Sequence, residues 1–245
     1  MQTTGNTVLL TGGSSGIGLA LARKFLGLGN TVIVTGRDNA KLAAVKQELP
    51  AVELFCGDLT KDETLADLVL FVEQRHPKLN ILINNAGVQY NYRFLQPSNK
   101  RLEEIEYEIQ TNLVAPIKLT ALLLPTILNN SNAAIVNVSS ALGFVPKQSA
   151  PVYCSTKAGL HLFTKALRYQ LEDTPVKVFE IIPPLVETAM TAGRGKGKIP
   201  PAKLADDFLK AFERDNYEVK IGKAKLLLVL SRLFPKIAER VMKNK

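Results

Sequence analysis

The sequence predicts an α/β fold, because short apolar segments alternate along it with longer amphipathic ones. The apolar segments are nearly continuous, which is typical of strands in a parallel sheet that is covered on both faces. A chain of 245 residues with 46% hydrophobic content can bury one full core, so we expect one domain spanning residues 1–245. The expected architecture is a single-domain, doubly wound parallel sheet of the Rossmann type with helices on both faces.

The individual elements follow from the apolar spacing. Strands are predicted at residues 8–10, 31–35, 52–55, 79–83, 135–138 and 176–182. Helices are predicted at residues 17–28, 40–49, 64–75, 102–124 and 153–171, where apolar residues recur every three or four positions. None of the apolar runs reaches the roughly 20 residues that cross a bilayer.

The alternation stops after Pro183, in a stretch rich in glycine, proline and lysine. We expect residues 189–201 to form a substrate lid, since long irregular connections are often functional. Its Arg194, Lys196 and Lys198 would either recruit an acidic or phosphorylated substrate or be solvated on a mobile loop. A helix is expected at about residues 202–216, followed by a basic helical segment at about 223–245. The lid and residues 89–97 would shape the substrate pocket.

A glycine-rich turn, TGGSSGIG, begins at Thr11 and connects the first predicted strand to the first predicted helix. Free N–H groups and the positive dipole at a helix N-terminus can bind a pyrophosphate. The spacing differs from G-x-G-x-x-G, and the glycines alone could serve only the turn. Together with the motifs below, the turn favours a nucleotide site with these candidate contacts: Gly12, Ser14, Ser15, Gly16, Ile17 and Gly18.

Tyr153 and Lys157 are four positions apart on a predicted helix and therefore share a face. A lysine ammonium beside the phenol would favour its ionised form and lower its pKa from about 10. Such a phenol can donate or accept a proton near neutral pH. Cys154 lies about 100° around the helix and is interpreted as a packed thiol. His161 is interpreted as a core or surface histidine, and no metal site is predicted.

These motifs resemble the short-chain dehydrogenase/reductase family over roughly residues 5–190. TGGSSGIG is similar to its cofactor loop, and the string from Asn84 to Gly87 to its sheet-stabilising motif. The resemblance implies hydride transfer between a carbonyl compound and an alcohol, with a nicotinamide cofactor and a small-molecule substrate. It also implies a homodimer or homotetramer that pairs through the helices at 102–124 and 153–171. IPPLVET and TAGRGKGK resemble a subgroup encoded beside the teichoic-acid D-alanylation machinery of Gram-positive bacteria.

The resemblance also implies residue roles. Ser140 would donate a hydrogen bond to the substrate oxygen, with Ser139 as the alternative, and Tyr153 would be the general acid or base. Lys157 would bind the ribose hydroxyls and tune Tyr153, while Asn112 would place a proton-relay water. Asp58 would contact adenine. The remaining implied cofactor contacts are Leu59, Asn85, Ala86, Gly87, Pro183, Val186 and Thr188.

The chain departs from the family pattern at Pro184, where the family usually has glycine after the sixth strand. The second proline removes a backbone donor and fixes φ near −65°, which leaves the path of this loop open.

Cofactor preference depends on the end of the second predicted strand, TVIVTGRD. If the strand ends at Thr35, the position of an NAD-selective acid is Gly36, and Arg37 follows. A guanidinium can bind a 2′-phosphate in two places, which favours NADP over NAD. Counting about 20 residues from the glycine turn would instead select Asp38 and NAD. We interpret Asp38 as a helix N-cap.

The net charge of +9 belongs mostly to the C-terminal part. Residues 192–245 carry 14 Lys/Arg and 6 Asp/Glu. No zinc spacing or RNA motif accompanies them, so we expect no nucleic-acid partner. The apolar block at 226–234 is flanked by lysines. It would pack within the protein or a dimer, cover an apolar substrate, or rest on an anionic membrane. Packing within the protein or a dimer is the favoured interpretation.

Two cysteines give no disulfide framework, and the first residues do not resemble a secretory signal. We therefore expect a cytoplasmic protein. Two alternatives to an oxidoreductase remain open. A nucleotide-sensing regulator would need the glycine turn but not Tyr153, and a membrane-associated scaffold would depend on the basic C-terminal segment. The presence of both Tyr153 and Lys157 favours the oxidoreductase.

Overall fold

The computed structural model describes residues 1–96 and 98–244, which contain one sheet of seven parallel strands. Pro97 of the expected pocket loop and Lys245 of the expected basic segment lie outside the described residues. The strands are β1 Thr7–Leu10, β2 Thr31–Gly36, β3 Glu53–Cys56, β4 Ile81–Asn84, β5 Ala133–Val138, β6 Val176–Ile182 and β7 Glu218–Lys220. Their order is β3-β2-β1-β4-β5-β6-β7, and every neighbouring pair is parallel. The predicted fold class is confirmed.

The helices lie between the strands, as the alternation predicts. They are α1 Gly16–Gly27, α2 Asn39–Glu48, α3 Asp62–Arg75, α4 Arg101–Ile109, α5 Ala115–Leu128, α6 Pro151–Gln170, α7 Pro201–Glu213, α8 Lys223–Leu233 and α9 Pro235–Lys243. The helix expected at 102–124 extends further, from Arg101 to Leu128. It is also interrupted, since the π-helical turn Gln110–Val114 lies between α4 and α5.

Alternate residues of each strand face opposite layers of the core. Val8 and Leu10 of β1 pack with the helices α1, α2 and α7, whereas Leu9 between them packs with α3, α5 and α6. All three side chains are fully buried. Helices therefore cover both faces of the sheet, which explains why its central strands are apolar throughout.

The interpretation of Asp38 as a helix N-cap is confirmed, because its carboxylate accepts a hydrogen bond from the Lys41 N–H at 3.1 Å. The strand β7 was not predicted. It has three residues, EVK, and only Val219 among them is buried. A strand this short at the edge of a sheet lacks the apolar run that identified the others.

By length and composition, one helix of the described residues could cross a membrane, namely the continuous segment Arg101–Leu128. Leu119, Leu123 and Ile127 of this segment are buried against the sheet. The segment is thus built into the core layer that also holds α3 and α6.

A crevice opens between β1 and β4, where the strand order reverses: β2 and β3 lie on one side of β1, and β4 to β7 lie on the other. In doubly wound sheets, ligands bind at such a switch point, at the carboxyl ends of the strands. The glycine-rich turn follows β1, and Asn85–Gly87 follows β4. The topology therefore brings these two motifs together.

Candidate active site

The glycine-rich turn joins β1 to α1 at the edge of the crevice. Gly12 has a φ of +65°, and a Cβ on it would lie 2.7 Å from the Ala86 Cα, so this position requires glycine. Helix α1 begins at Gly16 after an extended Ser15, and no side chain of the described residues caps it. The first N–H groups of α1 are therefore available to an anion such as a pyrophosphate.

Thr11 and Asn85 tie the two sides of the crevice together. The Thr11 hydroxyl accepts hydrogen bonds from the backbone N–H groups of Asn85 and Ala86, both at 3.0 Å. The Asn85 amide donates to the carbonyls of Thr11 and Gly12 at 2.9 and 3.0 Å. Asn84 donates to the Asn137 side chain at 2.8 Å, inside the sheet layer. Both asparagines thus stabilise the architecture around the crevice.

A cavity of about 290 Å³ extends along the crevice from the glycine-rich turn to the α6 helix. Most of the predicted cofactor contacts line it: Gly12, Ser14, Ser15, Gly16, Ile17, Arg37, Asp58, Leu59, Asn85, Ala86, Gly87, Tyr153, Lys157, Pro183 and Thr188. Sequence reasoning did not identify other residues of its wall, such as Thr35, Gly57, Thr60, Tyr107, Thr111 and Met190. They come from β2, α4, the π-helical turn and loops far apart in sequence, without a recognisable motif.

Gly18, Val186, Ser140 and Asn112 lie outside the wall of this cavity. A Cβ on Gly18 would lie 2.4 Å from the Gly12 carbonyl oxygen, so Gly18 allows α1 to pack against the turn. Val186 is buried in the core layer beside α7. These two predicted cofactor contacts therefore have packing roles in the structure, and their contact with a cofactor stays a prediction.

Arg37, Tyr107 and Asp58 cluster beyond the carboxyl ends of β2 and β3. The Arg37 guanidinium donates a hydrogen bond to the Tyr107 hydroxyl and lies 5.2 Å from the centre of its ring. The same hydroxyl lies 3.3 and 3.4 Å from the two Asp58 carboxylate oxygens. Gly36 is the last residue of β2, one position later than expected. The strand thus ends without a carboxylate, and a cation follows it.

Asn112 lies in the π-helical turn and is fully buried. Its side chain accepts a hydrogen bond from the Val88 N–H and donates one to the Val88 carbonyl, both at 2.8 Å. It also donates to the Thr156 hydroxyl on α6 at 3.2 Å. These bonds fix the loop after β4 against α6. Turns of π helix are frequent at functional sites, and the predicted water-placing role of Asn112 stays a prediction.

Ser139 and Ser140 follow β5, and their hydroxyls have different surroundings. The Ser140 hydroxyl accepts a hydrogen bond from the Leu142 N–H at 3.1 Å, and its interaction with Tyr153 lowers the pKa of that phenol against the larger, opposite effect of burial. The Ser139 hydroxyl donates to the Ile181 carbonyl at 3.4 Å, while Ser139 lines the cavity. The structure therefore pairs Ser140 with Tyr153.

The expected lowering of the Tyr153 pKa by Lys157 was wrong for the protein without ligand. Burial raises the pKa of Tyr153 to about 12 and lowers the pKa of Lys157 to about 8. The Lys157 Nζ lies 5.8 Å from the centre of the Tyr153 ring and donates to the Val138 carbonyl at 2.8 Å. Desolvation is the largest influence on both groups and disfavours the charged form of each. Tyr153 is consequently protonated at neutral pH.

Two buried carboxyl groups near Lys157 were not identified from the sequence. Glu180 in β6 and Glu108 in α4 are both 0% exposed, and their charges raise the pKa of Lys157 against the effect of burial. One Glu180 oxygen lies 2.8 Å from His161 Nδ1, and one Glu108 oxygen accepts from the Tyr90 N–H at 3.1 Å. Burial raises the pKa of Glu108 to about 7. An acid within the apolar run VKVFEII was the available signal for Glu180.

The loop after β6 passes the start of α1. A Cβ on Gly16 would lie 2.9 Å from the Thr188 Cγ2, so this loop closes over the glycine-rich turn. Pro184 leaves both Pro183 and Thr188 in the cavity wall. Val186 forms a bridge with Ile199, which joins the two ends of the expected lid. The movement of residues 189–201 as a lid stays a prediction.

Cys154 is buried, and burial raises the pKa of its thiol, so its interpretation as a packed thiol is confirmed. Among residues 1–96 and 98–244, no three His, Cys, Asp or Glu side chains form a group that could hold a metal ion.

Comparison with known proteins places this fold and site in context. A model of the short chain dehydrogenase family matches residues 6–198. An uncharacterized oxidoreductase of Bacillus subtilis, DltE, is 44% identical over 190 residues, which are 78% of this chain and 75% of that protein. The ketoacyl reductase HetN of a Nostoc species is 31% identical, over 97% of this chain and 88% of its own.

Two solved structures cover nearly the whole chain. A short chain dehydrogenase from Burkholderia cenocepacia in complex with NADP has a TM-score of 0.88 at 25% identity and covers 100% of both chains. A short-chain dehydrogenase from Sphingobium yanoikuyae in complex with NADPH has a TM-score of 0.81 at 28% identity and covers 95% of both chains.

The fold and site define an oxidoreductase with a dinucleotide-type crevice, so the protein is an enzyme. The chain belongs to the short-chain dehydrogenase/reductase family, and within it is similar to DltE.

Proposed function

We propose that this protein is an NADP-dependent oxidoreductase that interconverts a small carbonyl compound and an alcohol. The observation that carries the proposal is one cavity lined by the glycine-rich turn at one end and by Tyr153 and Lys157 at the other. The residues fit a dinucleotide, because the Gly12 position excludes any side chain and the N-terminus of α1 has free N–H groups. Bound NADPH would supply the hydride, and NADP would accept it in the reverse direction.

The protein groups in this mechanism orient the substrate and move one proton. Ser140 holds the substrate oxygen beside Tyr153, and the Tyr153 hydroxyl gives its proton to that oxygen as the carbonyl becomes an alcohol. A pKa of about 12 for Tyr153 keeps the phenol protonated before the reaction, which favours reduction of the carbonyl. The Lys157 ammonium lies beside Tyr153 and stabilises the phenolate that is left after the proton transfer.

Replacement of Tyr153 tests this function. Tyr153→Phe removes the proton donor and keeps the ring, so turnover with any active carbonyl compound should fall at least about 100-fold. NADPH affinity, measured by fluorescence titration, should change little. A Tyr153→Phe protein that keeps wild-type turnover would contradict the proposed role. A wild-type protein that binds NADPH but reduces no compound of a broad carbonyl panel would favour the nucleotide-sensing regulator instead.

Preference for NADP over NAD is supported by Gly36 and Arg37 at the end of β2, since the strand itself ends in glycine and a guanidinium that can bind a 2′-phosphate follows it. The NADP and NADPH complexes of the two similar structures also support it. Arg37→Ala should lower kcat/KM for NADPH about tenfold or more and leave that for NADH nearly unchanged. The matched control is Lys41→Ala, which removes a cation from the same region outside the cavity wall. Equal losses with both cofactors would contradict the role of Arg37.

Assembly as a homodimer or homotetramer is supported by the exposed apolar side chains of the helices that were expected to pair. Leu122 on α5 and Leu162 and Tyr169 on α6 are 45%, 66% and 67% exposed. Light scattering of Leu162→Glu against the wild type would detect the loss of such pairing. We also propose a cytoplasmic location, which the two free cysteines support.

A further inference from the structure

The helices α8 and α9, here called the C-terminal helical pair, leave an apolar surface uncovered. Leu226, Val229 and Leu233 recur at helical spacing on α8, and Ile237 and Val241 do so on α9. These five side chains and Phe234 between the helices are 43% to 71% exposed. Packing within the protein therefore holds only for the other side of the pair, and the second part of the expectation, packing within a dimer, stays an alternative.

That other side attaches the pair to the fold. Ala224 of α8 is 1% exposed and packs with Ala141 and Ile182, and Ala238 of α9 is fully buried. Leu227 and Leu228 of α8 pack, partly buried, against the same cluster. The pair therefore has apolar side chains both toward the protein and toward solvent, whereas a surface helix usually has one apolar face, directed at the core.

Cations border the exposed apolar surface. Residues 223–244 carry six Lys/Arg and one acid, Glu239. Lys225 precedes Leu226 and Arg232 precedes Leu233, while Lys236 and Arg240 flank Ile237 and Val241 in the same way, each one position before an apolar residue. Because adjacent helix positions differ by about 100°, each cation lies at the edge of the apolar surface. A helix with cations beside an apolar face is typical of binding at a membrane interface.

The end of α9 is hydrogen-bonded to the segment that leads into α6, the helix that carries Tyr153. The Lys243 carbonyl at the end of α9 accepts a hydrogen bond from the Gln148 N–H at 3.1 Å, and the Ser149 carbonyl accepts one from the Tyr92 N–H at 3.0 Å. Gln148 and Ser149 immediately precede α6, which carries Tyr153. The loop of Tyr92 also exposes Phe94 and Leu95, which are 60% and 97% accessible.

A second copy of this chain fits the surface poorly. Pairing two copies through the same face would bring two sets of six cations together, and juxtaposed like charges oppose association. A surface of opposite charge with an apolar interior satisfies both the cations and the exposed leucines. Phospholipid bilayers that contain anionic lipids have both properties.

We propose that the C-terminal helical pair docks this protein on an anionic lipid bilayer, with its apolar side chains among the acyl chains and its cations at the headgroup phosphates. The docked protein holds the segment before α6, the helix that carries Tyr153, near the lipid surface. The inference goes beyond the proposed reaction and does not depend on it, because docking requires no turnover.

Flotation of the full-length protein with lipid vesicles tests the proposal. The protein should float with vesicles of phosphatidylcholine mixed with phosphatidylglycerol, should bind vesicles of phosphatidylcholine alone much less, and should dissociate as salt is raised. Lys236→Glu combined with Arg240→Glu should weaken partition at least about tenfold, since each cation near such a surface contributes about fivefold. Leu226→Ser combined with Val229→Ser and Leu233→Ser should weaken it as well, because the apolar contribution is lost.

Two control variants distinguish the role of this surface from the effects of net charge and of exposed apolar side chains in general. Lys61→Glu combined with Lys210→Glu changes the net charge equally at exposed positions before α3 and on α7, and should float like the wild type. Leu28→Ser combined with Leu70→Ser controls for exposed leucines elsewhere. Thermal unfolding and NADPH titration verify the fold of each variant.

Three results would overturn the proposal. One is a wild-type protein that floats with neither vesicle. Another is a charge control that loses as much binding as the variant in α9. The third is unchanged flotation of the α8 serine variant together with a lower oligomeric state by light scattering, which would assign this surface to a second copy.

Discussion

Tyr153 and Lys157 show which properties of a residue pair follow from local sequence. Their spacing predicted a shared helix face, and both side chains line the same cavity. Their pKa values could not be predicted, because burial by residues distant in sequence determines them. The Val138 carbonyl binds the Lys157 ammonium, and the buried Glu180 comes from another strand. Proton chemistry at this site thus depends on tertiary contacts that no motif records.

Glu180 should set the pH at which Lys157 loses its charge. The pKa of Lys157 is about 8, lowered by burial and raised by the Glu180 carboxylate. If catalysis needs the ammonium, kcat/KM should fall as the pH rises above about 8. Glu180→Gln removes the neighbouring negative charge, so the pKa of Lys157 falls further and activity should decline at a lower pH. The measurement is the pH profile of kcat/KM for NADPH oxidation.

Glu73→Gln, at an exposed position of α3, is the control for that profile. A Glu180→Gln profile that coincides with the wild-type profile, or that moves to higher pH, would refute the influence of Glu180 on Lys157.

At the scale of elements, the apolar runs predicted six of the strands and the alternation predicted the helices between them. Boundaries differed by one or two residues at most strands, for example at β4 and β5. The π-helical turn could not be predicted, since QTNLV continues the helical pattern on both sides. Within this turn, Asn112 is held between Val88 and Thr156 by contacts outside the helix, which the helical pattern does not reveal.

The turn between β1 and α1 should tolerate no side chain at Gly12. Alanine there would have an unfavourable positive φ, and its Cβ would lie 2.7 Å from the Ala86 backbone. We expect Gly12→Ala to weaken NADPH binding at least about tenfold and to lower the melting temperature by several degrees. Calorimetric titration and thermal unfolding measure the two effects.

Gly29→Ala is the matched control, because Gly29 has a φ of +77° with nothing within 4 Å of its Cβ position. It should show the cost of the backbone conformation, about 1 kcal/mol, without loss of NADPH binding. Equal NADPH affinities for the Gly12 and Gly29 variants would show that close approach to Ala86 is unimportant.

At the scale of the whole molecule, the fold class was predictable because every parallel connection needs a helix, and the sequence alternates accordingly. The strand order explains why a turn after β1 and a motif after β4, more than 70 residues apart, meet in one crevice. The outward apolar surface of α8 and α9 was not predictable, since the same pattern would serve a buried helix. Only the exposure of Leu226 and Val241 separates the two cases.

Hydride transfer beside Tyr153 can be followed with an isotope label on the cofactor. Wild-type protein would be given NADPH deuterated at the reactive C4 position together with a panel of carbonyl compounds, and the products analysed by mass spectrometry. We expect an alcohol that carries the deuterium on the carbon bonded to its new hydroxyl group. Bound cofactor with no labelled alcohol from any compound would contradict it.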